Sequence, residues 1–386
     1  MTSLDEVKKI MAEFAESTGL LKPEVPVKRY LWTDSFAVCN FLGLYRQLGD
    51  ENWLESALHL VDQVHRTLGR HRKDDGRTGW ISGLSEKEGR RHPTVGGLRI
   101  GKSLNERAPD EPEDDRLEWD RDGQYYHYLT KWMHALNRVS QVTKDGIYNW
   151  WAMELAKASH RAFVYDVDGS KRMYWKMSID LSRPLVRIMG QHDSLDGLLT
   201  YKQLEKTAEA IPPEVSPPDL ATEIRDLEPL CKRLRWTTED PLGIGGLLTD
   251  VYRASQLMAG DSDMQSDFVM DLVEASRAGL EAYMARASHK LPAEYRLAFR
   301  ELGLSIGLHA VAEAGALVTK KGDRFPARAA LQSRIGEFAS YRAVGQSIEA
   351  FWLEPENRNA RTWTEHKEIN SVMLATSLAP DGYLKW

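Results

Sequence analysis

Two aspartates three residues apart, Asp193 and Asp196, lie in the run Met189-Gly190-Gln191-His192-Asp193-Ser194-Leu195-Asp196-Gly197. On a helix this spacing puts both carboxyls on one face, and paired carboxyls in unlike surroundings divide general-acid and general-base work. The same spacing also builds an Asx-type turn. A denser cluster, Glu118-Trp119-Asp120-Arg121-Asp122-Gly123-Gln124-Tyr125-Tyr126-His127, mixes acids, aromatics and a histidine just before a helical pattern. Helix capping accounts for one of Asp120 and Asp122 and leaves the rest unexplained. A third set, Trp363-Thr364-Glu365-His366-Lys367-Glu368-Ile369-Asn370, puts His366 and Asn370 four apart on one helical face. Asp122, Asp193, Asp196 and His366 are therefore the catalytic candidates. Around them Trp32, Asp34, Trp119, Gln124, Tyr125, His127, His192, Trp363 and Asn370 are the candidates for binding a substrate.

Other chemistries find less support. His127 and His134 with Lys131 and Arg138 form a helical stripe that reads as a solvated face, and no His-x-x-x-His or Cys-x-x-Cys spacing suggests a metal. Gly243-x-Gly245-Gly246 lacks a preceding strand and reads as helix packing, and neither a phosphate-binding loop nor a nucleophile elbow is present. No cofactor is expected. A net charge of −6 supplies no field for nucleic acid. Two cysteines, Cys39 and Cys231, make no disulfide framework, and with no signal-peptide pattern or run of about 20 apolar residues the expectation is a soluble cytoplasmic protein, off the membrane. The 12 tryptophans and 14 tyrosines suit both core packing and stacking on the C–H faces of sugars.

The elements that must position these residues are helical pairs. Residues 31 to 48 and 52 to 68 form the first, divided by Leu48-Gly49-Asp50, and 122 to 143 with 147 to 163 the second, divided by Lys144-Asp145-Gly146. Residues 184–209 with 219–234, 242–259 with 266–288, and 296–317 with 326–343 continue the series, and 363–378 pairs with the N-terminal helix 4–17. The first helix of each pair is the more apolar and glycine-rich, so it is assigned to an inner ring. One all-α domain over residues 1–386 is predicted, an (α/α)6 toroid of six helical hairpins. Three long excursions, 70–121, 164–183 and 344–362, interrupt the pairs, and the first two precede inner helices, which places 70–121 over the inner-helix N-terminal mouth. The second reads as a β-hairpin turning at Asp168-Gly169, and the charged, proline-bearing stretch 105–115 as mobile.

This pattern of repeated hairpins, with acids and aromatics at inner-helix starts, resembles the six-hairpin glycosidase-like superfamily over nearly the whole chain. His192-Asp193, Leu195 and Asp196-Gly197 resemble the His-Asp segment of unsaturated glycuronyl hydrolases. The resemblance implies a carbohydrate-active enzyme, foremost a glycoside hydrolase, in which Asp122 and Asp193 are the acid and base, Trp32, Trp119, Tyr125 and Trp363 stack the sugar, and the substrate is a small molecule or oligosaccharide. The sugar 2-epimerase branch implies instead two histidines as acid and base, with His127, His192, His309 and His366 available. A non-catalytic ligand-binding toroid, and more distantly a lyase or cyclase, remain alternatives.

Overall fold

The computed structural model describes residues 3–213, 216–260 and 264–385. The chain is all-α, built of helical hairpins with a small β-hairpin, and it divides into two compact units. One comprises Ala15–Leu234, the other Met1–Phe14 with Arg235–Trp386. Helix α1, Ser3–Ser17, opens the chain.

In the first unit α2 (Leu31–Leu48) turns into α3 (Glu51–Leu68) where the sequence signals predict. Gly49 takes the left-handed conformation at φ 69° and donates to the Tyr45 carbonyl, and Asp50 then caps α3 by accepting from the Asn52 amide. After the short helices α4 (Glu86–Arg91) and α5 (Asp115–Glu118), α6 (Tyr126–Thr143) passes into α7 (Gly146–Phe163) through left-handed Lys144 and the cap Asp145. The third pair is α8 (Asp193–Ala210) and α9 (Ala221–Arg233). Helices α2, α6 and α8 lie side by side, with α3, α7 and α9 each packed on its own partner.

Residues predicted to be helical from 184 begin instead as a strand. Strands β1 (Gln124–Tyr125), β4 (Lys176–Met177) and β5 (Pro184–Val186) form a three-stranded antiparallel sheet in the order β1-β4-β5. Strands β2 (Val164–Val167) and β3 (Ser170–Met173) make the expected hairpin, with Asp168 and Gly169 both at positive φ. The stretch expected to be mobile is tied down by ion pairs, Arg107 to Glu118 at 2.7 Å and Arg121 to Glu111.

In the other unit α10 (Pro241–Ala259) pairs with α11 (Ser266–Arg286). Its packing on α12 (Ala298–Lys320) explains the glycines: a Cβ on Gly245 would stand 2.0 Å from the Gly303 carbonyl oxygen. Helix α12 has the length and composition of a membrane span, yet most of it is buried inside the unit. Helix α13 (Arg328–Gly336) is followed by α14 (Arg342–Leu353), so the first half of the predicted 344–362 loop is helix. Burial of Ile348 and Trp352 draws that segment into the core. Helices α15 (Arg361–Thr364), α16 (Lys367–Leu378) and α17 (Asp381–Leu384) complete the unit.

Candidate functional site

Three helix starts of the first unit converge: Tyr30 and Trp32 at α2, Tyr125 to Lys131 at α6, and Asp193 and Asp196 at α8. The four residues at the start of α6 divide their work by direction. Tyr126 is fully buried and donates to the Tyr201 hydroxyl at 2.9 Å, while Tyr125, His127 and Tyr128 form an aromatic cluster. The His127 ring stacks on Tyr125 at 5.4 Å and on Trp175 at 6.2 Å, and meets Tyr128 and Trp32 edge-on at 4.9 and 6.0 Å. Tyr30 closes the cluster through a 2.7 Å contact between its hydroxyl and that of Tyr128.

Against this wall stand the two aspartates of the first turn of α8. Asp196 accepts from the Thr130 hydroxyl at 2.6 Å and from the Lys131 ammonium at 2.7 Å. Asp193 has neither kind of partner: its Oδ1 is 3.7 Å from Nδ1 of His127, too long for a hydrogen bond. Gly190 lies directly against it, so that a Cβ there would come within 2.4 Å of Asp193 Oδ2. Three buried polar atoms at this place have no hydrogen-bond partner among the described residues: Asp193 Oδ2, His127 Nδ1 and the indole Nε1 of Trp32. An unpaired buried donor or acceptor costs about 1–3 kcal/mol, so three at one site mark a place built to engage something else.

The electrostatics displace Asp193 and His127 in opposite directions. Burial, and then the charge of Asp196, push the Asp193 carboxyl up to about 7, opposed by the Gly190 backbone and Lys131. Burial and the Lys131 charge hold the His127 imidazole down at about 4, opposed by Asp196. Near neutral pH the site therefore presents a carboxylic acid able to give a proton beside a neutral imidazole able to take one.

Several predicted residues serve the framework instead. Asp122, the candidate acid, is wholly buried, with Oδ2 accepting from Arg99 at 2.5 Å and Arg72 at 3.3 Å and Oδ1 from the amides of Gly101 and Gly123. No lone pair is left for proton transfer, because the carboxylate ties the 70–121 excursion together. Gln124 likewise spends its amide on Leu98, Gly96 and Ile179. Asp34 reaches back to the Tyr30 amide at 2.9 Å and pairs with Arg29, a cap for α2 rather than a ligand contact, and burial raises its carboxyl to about 6. Trp119 is half exposed and meets Trp175 edge-on at 5.1 Å, at the outer end of the aromatic cluster. His192 is the N-cap residue of α8, immediately before Asp193.

His366, Asn370 and Trp363 belong to the other unit. His366 is exposed at the start of α16, whereas Asn370 is buried and bonded to the Phe299 amide and the carbonyls of Thr362 and Trp363, so the two do not act as a pair. Trp363 stacks on Trp352 at 5.6 Å within the core. The stripe expected to be solvated is not: Arg138 and His134 are buried. Sequence reading missed Tyr30, Tyr128, Lys131 and Trp175 as members of the site. The spacing of His127 and Lys131, one helical turn apart, was the available signal for Lys131.

No family model matches the chain, and no match is found among curated proteins. Among solved structures it is similar to cellobiose 2-epimerase from Spirochaeta thermophila DSM 6192, at a TM-score of 0.48 and 11% identity over 96% of this chain and 97% of that one. The cellobiose 2-epimerase from Bacillus thermoamylovorans B4167 gives 0.41 and 12% over 88% and 87%. An unsaturated glucuronyl hydrolase specific for heparin gives 0.33 and 12% over 70% and 82%.

Proposed function

We propose that the chain is a carbohydrate-active enzyme that hydrolyses a glycosidic bond, with Asp193 as general acid and His127 as general base. The observation that carries this is the Asp193 carboxyl itself, buried, unpartnered at Oδ2 and raised to about 7 beside a neutral imidazole walled by aromatic rings. Asp193 gives its proton to the leaving oxygen as the bond from the anomeric carbon breaks. Water adds to that carbon and loses a proton to His127 Nδ1. Asp196, anchored by Thr130 and Lys131, keeps the proton affinity of Asp193 high. Trp32 donates to a sugar hydroxyl, Tyr125, Tyr128 and Trp175 supply ring faces, and Trp119 extends that surface outward. Within this reading residues 70–121 act as the cover of the site, held by Asp122.

A second reading rests on the neutral His127 imidazole with its unpartnered Nδ1: a base that removes a proton from a sugar carbon while Asp193 protonates the neighbouring oxygen, as an epimerase requires. Proton NMR in D₂O with a panel of oligosaccharides, uronides and free sugars separates the two. New anomeric signals that disappear with Asp193→Asn support hydrolysis. Loss of a ring C–H signal without cleavage supports epimerisation, and an unchanged panel refutes both.

A further inference from the structure

We infer that Lys102 is the anchor for an anionic group on the substrate, so that the preferred sugar carries a carboxylate or phosphate. This rests on the reading of the Asp193 site as a sugar site. Lys102 lies in the 70–121 excursion, with its ammonium 5.8 Å from the centre of the Tyr30 ring at one end of the tyrosine wall. From there the wall is continuous: Tyr30 hydroxyl to Tyr128 hydroxyl at 2.7 Å, then the Tyr128 ring to His127 at 4.9 Å.

The other cations of this layer are already engaged. Arg99 and Arg72 share Asp122, and Arg72 also holds Asp74. Lys176, fully buried over the Tyr125 ring, has three acceptors in Glu118 O, Glu118 Oε2 and Arg121 O at 2.6–3.1 Å. Lys102 is the exception, for its ammonium makes no hydrogen bond or ion pair among the described residues. Asp122 cannot serve, since its oxygens are saturated by two guanidinium groups and two amides, and Asp120 acts on Lys102 only through space from an exposed position. Burial pulls the Lys102 ammonium below its usual range, opposed through space by the charges of Asp120 and Asp122. A partly desolvated cation gains more from an arriving anion than a surface lysine does, because part of its hydration is already lost.

The test is titration NMR of the full chain with methyl β-D-glucuronide, methyl β-D-glucoside 6-phosphate and methyl β-D-glucoside. The wild type is expected to bind at least one of the two anions about tenfold or more tightly than the neutral glycoside, consistent with a charge-assisted hydrogen bond. Lys102→Met should abolish that preference and leave the neutral glycoside unchanged, while Lys102→Arg should retain it. Which anion is favoured identifies the source of the charge. Retention of the preference in Lys102→Met, or equal binding of all three by the wild type, overturns the inference and leaves the acid–base site standing. Binding of none of the three by the wild type overturns both.

Discussion

Nδ1 of His127 and Oδ1 of Asp193 face each other at 3.7 Å across a gap that neither side bridges, although the two groups come from helix starts 66 residues apart in sequence. The gap is too wide for a hydrogen bond and narrow enough for one atom of a bound molecule to contact both. Their proton affinities are displaced in opposite directions, down for the imidazole and up for the carboxyl.

Activity should follow this ordering. The logarithm of kcat/KM should plateau between about 4, where His127 loses its proton, and about 7, where Asp193 loses its own. A profile whose alkaline limb lies well above 7 would exclude Asp193 as the acid.

Asp196→Asn tests the origin of the raised carboxyl. The charge of Asp196 is a cause of the elevation, so its removal should shift the alkaline limb to lower pH. A change in rate with the limb unmoved would reduce Asp196 to a packing role.

Asp193→Asn should abolish turnover and raise stability. The folded-state value of about 7 exceeds the ordinary 3.8, so ionising Asp193 destabilises the fold. That cost is absent below about pH 4, grows as pH rises to 7 and is constant above it. The gain from the asparagine should therefore be negligible at pH 4 and reach up to about 4 kcal/mol at pH 8, measured by urea unfolding at the two pH values.

Asp122→Ala should act in the opposite sense. Leaving Arg99 buried without its carboxylate costs about 3–5 kcal/mol, read as a lowered urea midpoint. Full stability in this variant would contradict its role as the tie of the 70–121 segment.

Trp32→Phe keeps an aromatic face on a smaller ring and removes an unpartnered donor. Loss of the unpartnered donor offsets the void left by the smaller ring, so stability should change by less than about 3 kcal/mol, and KM should rise about two- to tenfold with kcat little changed. Gly190→Ala should instead lower kcat, by about tenfold or more, because its methyl displaces the Asp193 carboxyl.

The sequence by itself determined what depends on neighbours a few residues apart. Gly49-Asp50 and Lys144-Asp145 end one helix and cap the next, Asp168-Gly169 turns a hairpin, and Asp193 and Asp196 share the first turn of α8. Left-handed turns, caps and the helical repeat are short-range constraints written in adjacent side chains. Only the tertiary structure decided which acid was free. Asp122 and Asp193 both precede or open a helix in a polar run, but Arg72 and Arg99, 50 and 23 residues distant, saturate the first, while the second faces His127 with its Oδ2 unpartnered among the described residues. Burial and ion pairing across such separations set proton affinity, and no local pattern encodes them.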